Sequence, residues 1–295
     1  MDKIENYIEV LQNRFKSLVL IGIISAIFCI VFLNTVTPKY TAFMKIGPVD
    51  VNETTNNSNG LGAAAGLIGL NIGGSESASS YLVFQETISS TRLANRLIEK
   101  NDPRKVFFGS MYDEENDIFV RPKGFVNWIK NIIKNILGYP DWSEPVASNI
   151  STIIENSLIK TSNLDNNFVT YYFEFEDKDF AISFLKDIYE ETESLIKEQQ
   201  KMIASEKKQY YLDALKDVTS DTHRKIISSQ IVEQERMLSK TGISTPISAM
   251  LIDDIDAYPQ QTYPKRIQSI FFFVIVGFLF GYIYFVIRDI FLNNK

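Results

Sequence analysis

The sequence predicts an α+β membrane protein in which two transmembrane helices flank an α/β domain that contains a long extended helix. Three observations carry this expectation. No charged residue occurs from Ser17 to Val36, and none from Ile267 to Ile287. Both runs approach the ~20 apolar residues that a helix rising ~1.5 Å per residue needs to cross ~30 Å of hydrocarbon. From Lys178 to Ser239 there is neither proline nor glycine, so nothing in the backbone forces a helix to stop.

The first run, Leu18 to Leu33, is almost wholly aliphatic or aromatic and follows Arg14 and Lys16. A cleaved signal peptide shares those leading cations, but Pro38-Lys39-Tyr40 stands where small cleavage-site residues are needed. The second run is bordered by Lys265-Arg266 and Arg288, which fits a membrane span better than a buried soluble helix. Both spans must be helical, because only a helix satisfies its own backbone in lipid. The layout is then a lead at 1–16, a first span at 17–36, an extramembrane domain at 37–266 with its long helix at about 178–240, a second span at 267–287 and a tail at 288–295. Two spans place both termini on one side. Lys3, Arg14, Lys16, Arg288 and Lys295 favour the cytoplasm for that side, opposed by Lys39, Lys45, Lys265 and Arg266.

Within the domain the chain alternates patterns. Ile4, Tyr7, Ile8, Leu11 and Phe15 give the lead an amphipathic helical spacing. Tyr40 to Ile46, ending at Gly47-Pro48, reads as a first strand. Gly60 to Gly74 is rich in glycine and alanine but lacks the Gly-Lys-Ser/Thr ending of a nucleotide loop, so it reads as a close-packed or mobile apolar loop. Ser79 to Lys100 reads as one amphipathic helix, Phe125 to Leu137 as a stronger one stopped by Gly138 and Pro140, and Val146 to Asn156 as a third. Phe168 to Phe175 is a strand aromatic on both faces, which predicts burial or partner contact on each side. In the long helix Ile182, Leu185, Tyr189, Thr192, Ile196, Ile203 and Tyr210 recur at roughly coiled-coil spacing. Contact with a neighbouring subunit and packing on the helix's own domain are both open from that pattern. Ser220 and Asp221 are good caps and mark a bend or a new start near His223.

The chemistry of enzymes is sparse. His223 is the sole histidine, and the single cysteine, Cys29, lies in the first span, so no zinc cluster and no histidine triad can be assembled in the domain. The acidic runs Asp113-Glu114-Glu115 and Asp253-Asp254 read as solvated surface. A net charge of −6 argues against a nucleic-acid partner, which needs a basic face. The reading is a scaffold, with no catalytic residue, cofactor or metal. In the spans, Gly277 and Gly281 share one helix face, and Gly22 with Ala26 does so less strongly; small residues at this spacing let helix backbones approach, within one chain or between subunits.

Taken in order, these segments resemble one family, the polysaccharide co-polymerases, or Wzz-type chain length determinants. The resemblance runs through the amphipathic lead Ile4 to Arg14, the first span, and Thr37-Pro38-Lys39-Tyr40-Thr41-Ala42 leading into a strand. It continues through the glycine-rich segment, the Glu86 to Ile98 helix, Phe173 to Leu185 with its strand, acidic turn and helix entry, and Ala257 to Arg266 before the second span. It covers the chain end to end through many weak motifs in a specific order. It implies an inner-membrane protein with a periplasmic domain, a long helix reaching into the periplasm, and a closed ring of identical subunits. The implied partners are a membrane polysaccharide polymerase, the nascent polysaccharide and the lipid bilayer. The implied function is control of the length of a surface polysaccharide such as O-antigen in lipopolysaccharide biosynthesis, by geometry and without covalent chemistry. Pro38 and Tyr40 then mark the exit from the first span, Pro259 and Pro264 a rigid turn into the second, and Lys265 and Arg266 the interface. The close alternative is a capsule export protein working with an ABC transporter; an extracytoplasmic sensor would need a larger cytoplasmic module. The sequence departs from the family in having only Pro259 and Pro264 in the approach and in the Phe125 to Leu137 helix, which looks like an insertion. With no kinase domain after Lys295, the branch fused to a tyrosine autokinase is not expected.

Overall fold

The computed structural model describes residues 14–49, 76–122, 124–138, 142–162 and 167–293. Most of the expected lead and the whole glycine-rich segment lie outside these residues. The chain divides into two compact units, one made of residues 1–41, 174–178 and 257–295 and the other of residues 42–173 and 179–256.

The first unit contains the two apolar helices, α1 (Phe15–Thr35) and a second running from Arg266 to Asn293, both long and apolar enough to cross a membrane. They lie side by side and bury Leu18, Gly22, Cys29 and Leu33 of α1 in their seam. Most other apolar side chains of both helices, among them Ile24, Phe28, Phe272 and Phe280, face outward. That inversion of a soluble protein is expected where the surrounding medium is lipid.

The second unit is α+β. Its strand β1 (Tyr40–Pro48) begins in the first unit and enters an antiparallel pairing with β6, as numbered below. Helices α2 (Glu76–Thr87) and α3 (Thr91–Asn101) follow. The stretch expected as one helix is therefore two, and the reason is local. Thr87 turns its hydroxyl back to the Val83 carbonyl at 2.7 Å, and Ser90 restarts the helix as an N-cap, accepting from the Leu93 N–H at 3.1 Å. A one-turn α4 (Arg104–Phe107), a small hairpin of β2 (Tyr112–Asp113) and β3 (Ile118–Phe119), α5 (Phe125–Ile136) and α6 (Ala147–Ser157) come next. Asn149 caps the start of α6 by accepting from the Val146 N–H at 2.8 Å.

Strand β4 (Leu158–Ser162) pairs antiparallel with β5 (Val169–Phe175), from Leu158 opposite Phe173 to Ser162 opposite Val169. Near the C-terminal end β6 (Ala249–Leu251) and β7 (Asp256–Ala257) complete the sheet, with strand order β4-β5-β1-β6 and β7 against β1. In β5, Val169, Tyr171 and Phe173 are buried while Thr170 and Tyr172 are half-buried, so the two faces are unequal. The core under the sheet is filled by Met44, Ile46, Phe84, Leu93, Leu97, Ile150, Ile154, Leu185 and Ile188, all essentially inaccessible. Each such side chain contributes about 1.5–3 kcal/mol relative to exposure. Phe184 is ringed by Phe107, Phe173 and Phe180 at centroid distances of 5.2, 5.1 and 5.5 Å.

The long helical stretch is also interrupted. It forms α7 (Lys178–Asp217, 40 residues) and α8 (Asp221–Gly242, 22 residues), so the helical stretch expected at about 178–240 breaks where Ser220 and Asp221 offer a new start. Val218-Thr219-Ser220 breaks it, two β-branched residues before a serine whose backbone is extended at the N-cap. Helix α8 then turns back along α7: Lys208 pairs with Glu235 at 3.0 Å, and Lys197 donates to the Ile243 carbonyl at 3.1 Å. Leu185, Thr192 and Ile196 of the apolar stripe pack inside their own unit, whereas Ile203 and Tyr210 are exposed. No side chain of α7 beyond Ala204, and none of α8, is buried. The final helix, α9, is the Arg266–Asn293 span of the first unit.

Candidate functional site

The residues nominated for membrane entry and helix packing all fall in the first unit, in two groups. The first group is the seam between α1 and α9. Gly277 lies opposite Ser25, where an added Cβ would meet the Ser25 Cβ at 2.6 Å and Oγ at 2.7 Å. At Gly281 a Cβ would sit 2.9 Å from Ile21 Cδ1 and 3.3 Å from Leu18 Cδ2. Gly22 is less constrained, with Val274 Cγ1 at 3.8 Å, an ordinary contact. Close approach is thus concentrated at Gly277 and Gly281. Ser25 adds a polar lock, its hydroxyl donating to the Phe273 carbonyl at 2.7 Å. Toward the chain termini, Phe285 lies between two cations, with Arg14 and Arg288 each 5.9 Å from its ring centroid.

The second group is the pair of segments that leave α1 and approach α9. They are bound to each other as an antiparallel bridge: the Lys39 N–H donates to the Tyr263 carbonyl at 2.9 Å, and the Thr262 N–H to the Lys39 carbonyl at 2.9 Å. The Thr41 and Thr262 hydroxyls share a hydrogen bond of 2.7 Å. Two carboxylates from the strand end join them, Glu174 accepting from Thr41 at 3.3 Å and Glu176 from Thr37 at 2.9 Å. Pro264, preceded by a cis peptide bond, is buried in this clasp, while Pro38 and Pro259 are exposed and Tyr40 is half-buried. Arg266 reaches back to Gln261 at 3.3 Å. Lys265 is exposed and makes no ion pair among the described residues. Beside it a cavity of about 380 Å³ is lined by Glu174, Tyr263, Lys265, Gln268, Phe272 and Phe273. Its wall passes from charged and polar groups to aromatic rings within two turns of α9.

Sequence reasoning named Pro38, Tyr40, Pro259, Pro264, Lys265 and Arg266 but missed the side chains that tie them together, Thr37, Thr41, Glu174, Glu176 and Thr262. It also missed Ser25, although a hydroxyl one turn from Gly22 in an otherwise apolar run is a detectable signal. Elsewhere, Asp113 accepts from the Glu115 N–H at 3.1 Å and from Asn116 at 2.9 Å, so this acidic run shapes its own turn. His223 is exposed on α8, and no cluster fit for a metal ion occurs among the described residues. The arrangement holds two apolar helices together and ties to each other the segments that leave α1 and approach α9.

No known protein family matches the sequence, and no curated protein does either. Among solved structures the chain is similar to a full-length bacterial polysaccharide co-polymerase, with 11% identity over 97% of each chain and a TM-score of 0.46.

Proposed function

We propose that this chain is a non-enzymatic, oligomeric scaffold of the bacterial inner membrane that regulates the chain length of a surface polysaccharide of O-antigen type during polymerase-dependent lipopolysaccharide biosynthesis. The reading rests on the ordered resemblance from the first span to the second. The single structural observation that carries it is the clasped helix pair: one chain holds two apolar helices together at Gly277 and Ser25 and ties their exits through Lys39, Thr41 and Thr262. On this proposal both termini are cytoplasmic and the α+β unit is periplasmic. The helices α7 and α8, with Ile203, Tyr210, Ile226 and Val232 exposed, offer apolar surface for copies of the same chain in a closed ring. The polymerase and the growing glycan are held by that assembly, and length follows from how long the glycan stays engaged.

Deletion of the gene, followed by gel analysis of lipopolysaccharide and capsule, tests this. Loss of the preferred length with polymer still made supports it. Polymer retained inside the cell overturns it in favour of capsule export with an ABC transporter, and an unchanged pattern overturns both.

A further inference from the structure

Helix α5 carries an apolar face that is exposed among the described residues. Trp128, Ile129, Ile132, Ile133 and Ile136 are all exposed, as is Leu137 just beyond the helix, with Ile136 at 78%. Their spacing of i, i+1, i+4, i+5, i+8 and i+9 places them on one half of the helix circumference. Positions 127, 130, 131, 134 and 135, which carry only asparagine and lysine, fill the other half. A contiguous apolar face of this kind marks a binding surface.

Charge says what covers it. The whole chain is acidic, at −6, yet from Phe119 to Gly138 there are four cations, Arg121, Lys123, Lys130 and Lys134, and no acid. Lysine opposite a face of isoleucine, with a tryptophan at its edge, is the composition of a helix lying in the plane of an anionic bilayer surface. A purely protein-facing helix of an acidic chain has no need to exclude every carboxylate over that length. The helix is also bounded by two glycines in left-handed backbone, Gly124 at φ +122° and Gly138 at φ +72°, neither with any atom near a would-be Cβ. Those joints let the helix take an angle set by what it binds.

We infer that α5 is an interfacial helix that docks on the surface of an anionic lipid bilayer, inserting Trp128, Ile132, Ile133 and Ile136 among the acyl chains while Lys134 meets lipid phosphates. A chain that also carries two membrane-spanning helices holds this element at high local concentration near a bilayer. The inference stands apart from polysaccharide length control and survives or fails independently of it.

The test uses the full chain in the Trp142→Phe background, which leaves Trp128 as the sole tryptophan. The protein is reconstituted in nanodiscs of phosphatidylcholine alone or mixed with phosphatidylglycerol, with brominated acyl chains as quencher. The expected result is a blue-shifted Trp128 emission quenched by brominated lipid in the anionic discs. Lys130→Glu with Lys134→Glu should cut that quenching by more than half without loss of helicity by circular dichroism, and Ile132→Asn with Ile133→Asn should abolish it. Two results overturn the inference. One is a Trp128 open to aqueous iodide and untouched by brominated lipid; the other is a blue shift without lipid quenching, which assigns the face to a protein partner or a second copy of this chain.

Discussion

Gly277 and Ser25 occupy the same space to within one carbon atom: a Cβ on the glycine would lie 2.6 Å from the serine Cβ, while the serine hydroxyl bonds to the Phe273 carbonyl at 2.7 Å. The helix pair therefore depends on the missing side chain more than on the hydroxyl. Gly277→Val should lower the detergent-unfolding midpoint of the pair far more than Ser25→Ala, which removes a hydrogen bond worth about 0.6 kcal/mol in a membrane. The double change Ser25→Gly with Gly277→Ala should recover much of the loss by reversing the steric roles. A Gly277→Val variant that unfolds like the parent would mean the seam is not what pairs the helices.

Glu193 is a carboxylate enclosed at the root of α7, 7% exposed, and it collects the Ile247 N–H, the Ser248 N–H at 3.3 Å and the Ser248 hydroxyl. It thereby fixes the segment that enters β6. Removing it strands buried donors, so Glu193→Ala should cost about 3 kcal/mol in urea unfolding, with Glu193→Gln costing nearer 1 kcal/mol because one acceptor oxygen remains. Equal losses for the two variants would show that shape, and not hydrogen bonding, is what the site requires.

One residue earlier the opposite holds. The Thr192 hydroxyl is wholly buried and has no hydrogen-bond partner among the described residues. Valine has nearly the same shape and no polar atom to desolvate, so Thr192→Val should stabilise the second unit by about 1 kcal/mol. The check is the denaturation midpoint at unchanged slope; a destabilised variant would reveal a partner for the hydroxyl in the assembled protein.

These neighbouring cases show what a single sequence discloses. The two spans, the strands β1 and β5 and the helices α5 and α6 were legible because apolar runs, alternation and glycine or proline stops are local signals. The seam was half legible: Gly277 and Gly281 stood out, but which helix they face is a tertiary fact. The clasp was illegible, since Lys39 meets Tyr263 and Thr41 meets Thr262 across most of the chain, and nothing near either threonine encodes the other. Glu193 reads as one more acid in Glu190-Glu191-Thr192-Glu193, a solvated face by composition. Its burial is decided by Ile247 and Ser248, which arrive only after α8 has turned back. The breaks at Ser90 and Ser220 were written in the serines themselves, yet the first lay inside an unbroken amphipathic pattern that outweighed it.

Buried tyrosines, Tyr81 and Tyr189 among them, give the second unit an alkaline limit. Burial pushes the Tyr81 hydroxyl from 10.0 up to about 12 while it donates to the Asn167 carbonyl at 3.0 Å. Burial, with the nearby Glu193 charge, raises Tyr189 likewise to about 12, its hydroxyl donating to the Ala249 carbonyl at 2.9 Å. In both, the folded protein holds the proton more tightly than the unfolded chain. Their contribution is therefore fully present below pH 10 and is lost as pH rises from about 10 toward about 12. Thermal unfolding followed by circular dichroism across that window should show a falling midpoint. Tyr81→Phe and Tyr189→Phe should each flatten the fall, because phenylalanine has no proton to lose, while lowering the plateau at neutral pH by one buried hydrogen bond, about 1 kcal/mol. A slope that both variants leave intact would place the alkaline sensitivity in other groups, with the lysine ion pairs along α7 next to be tested.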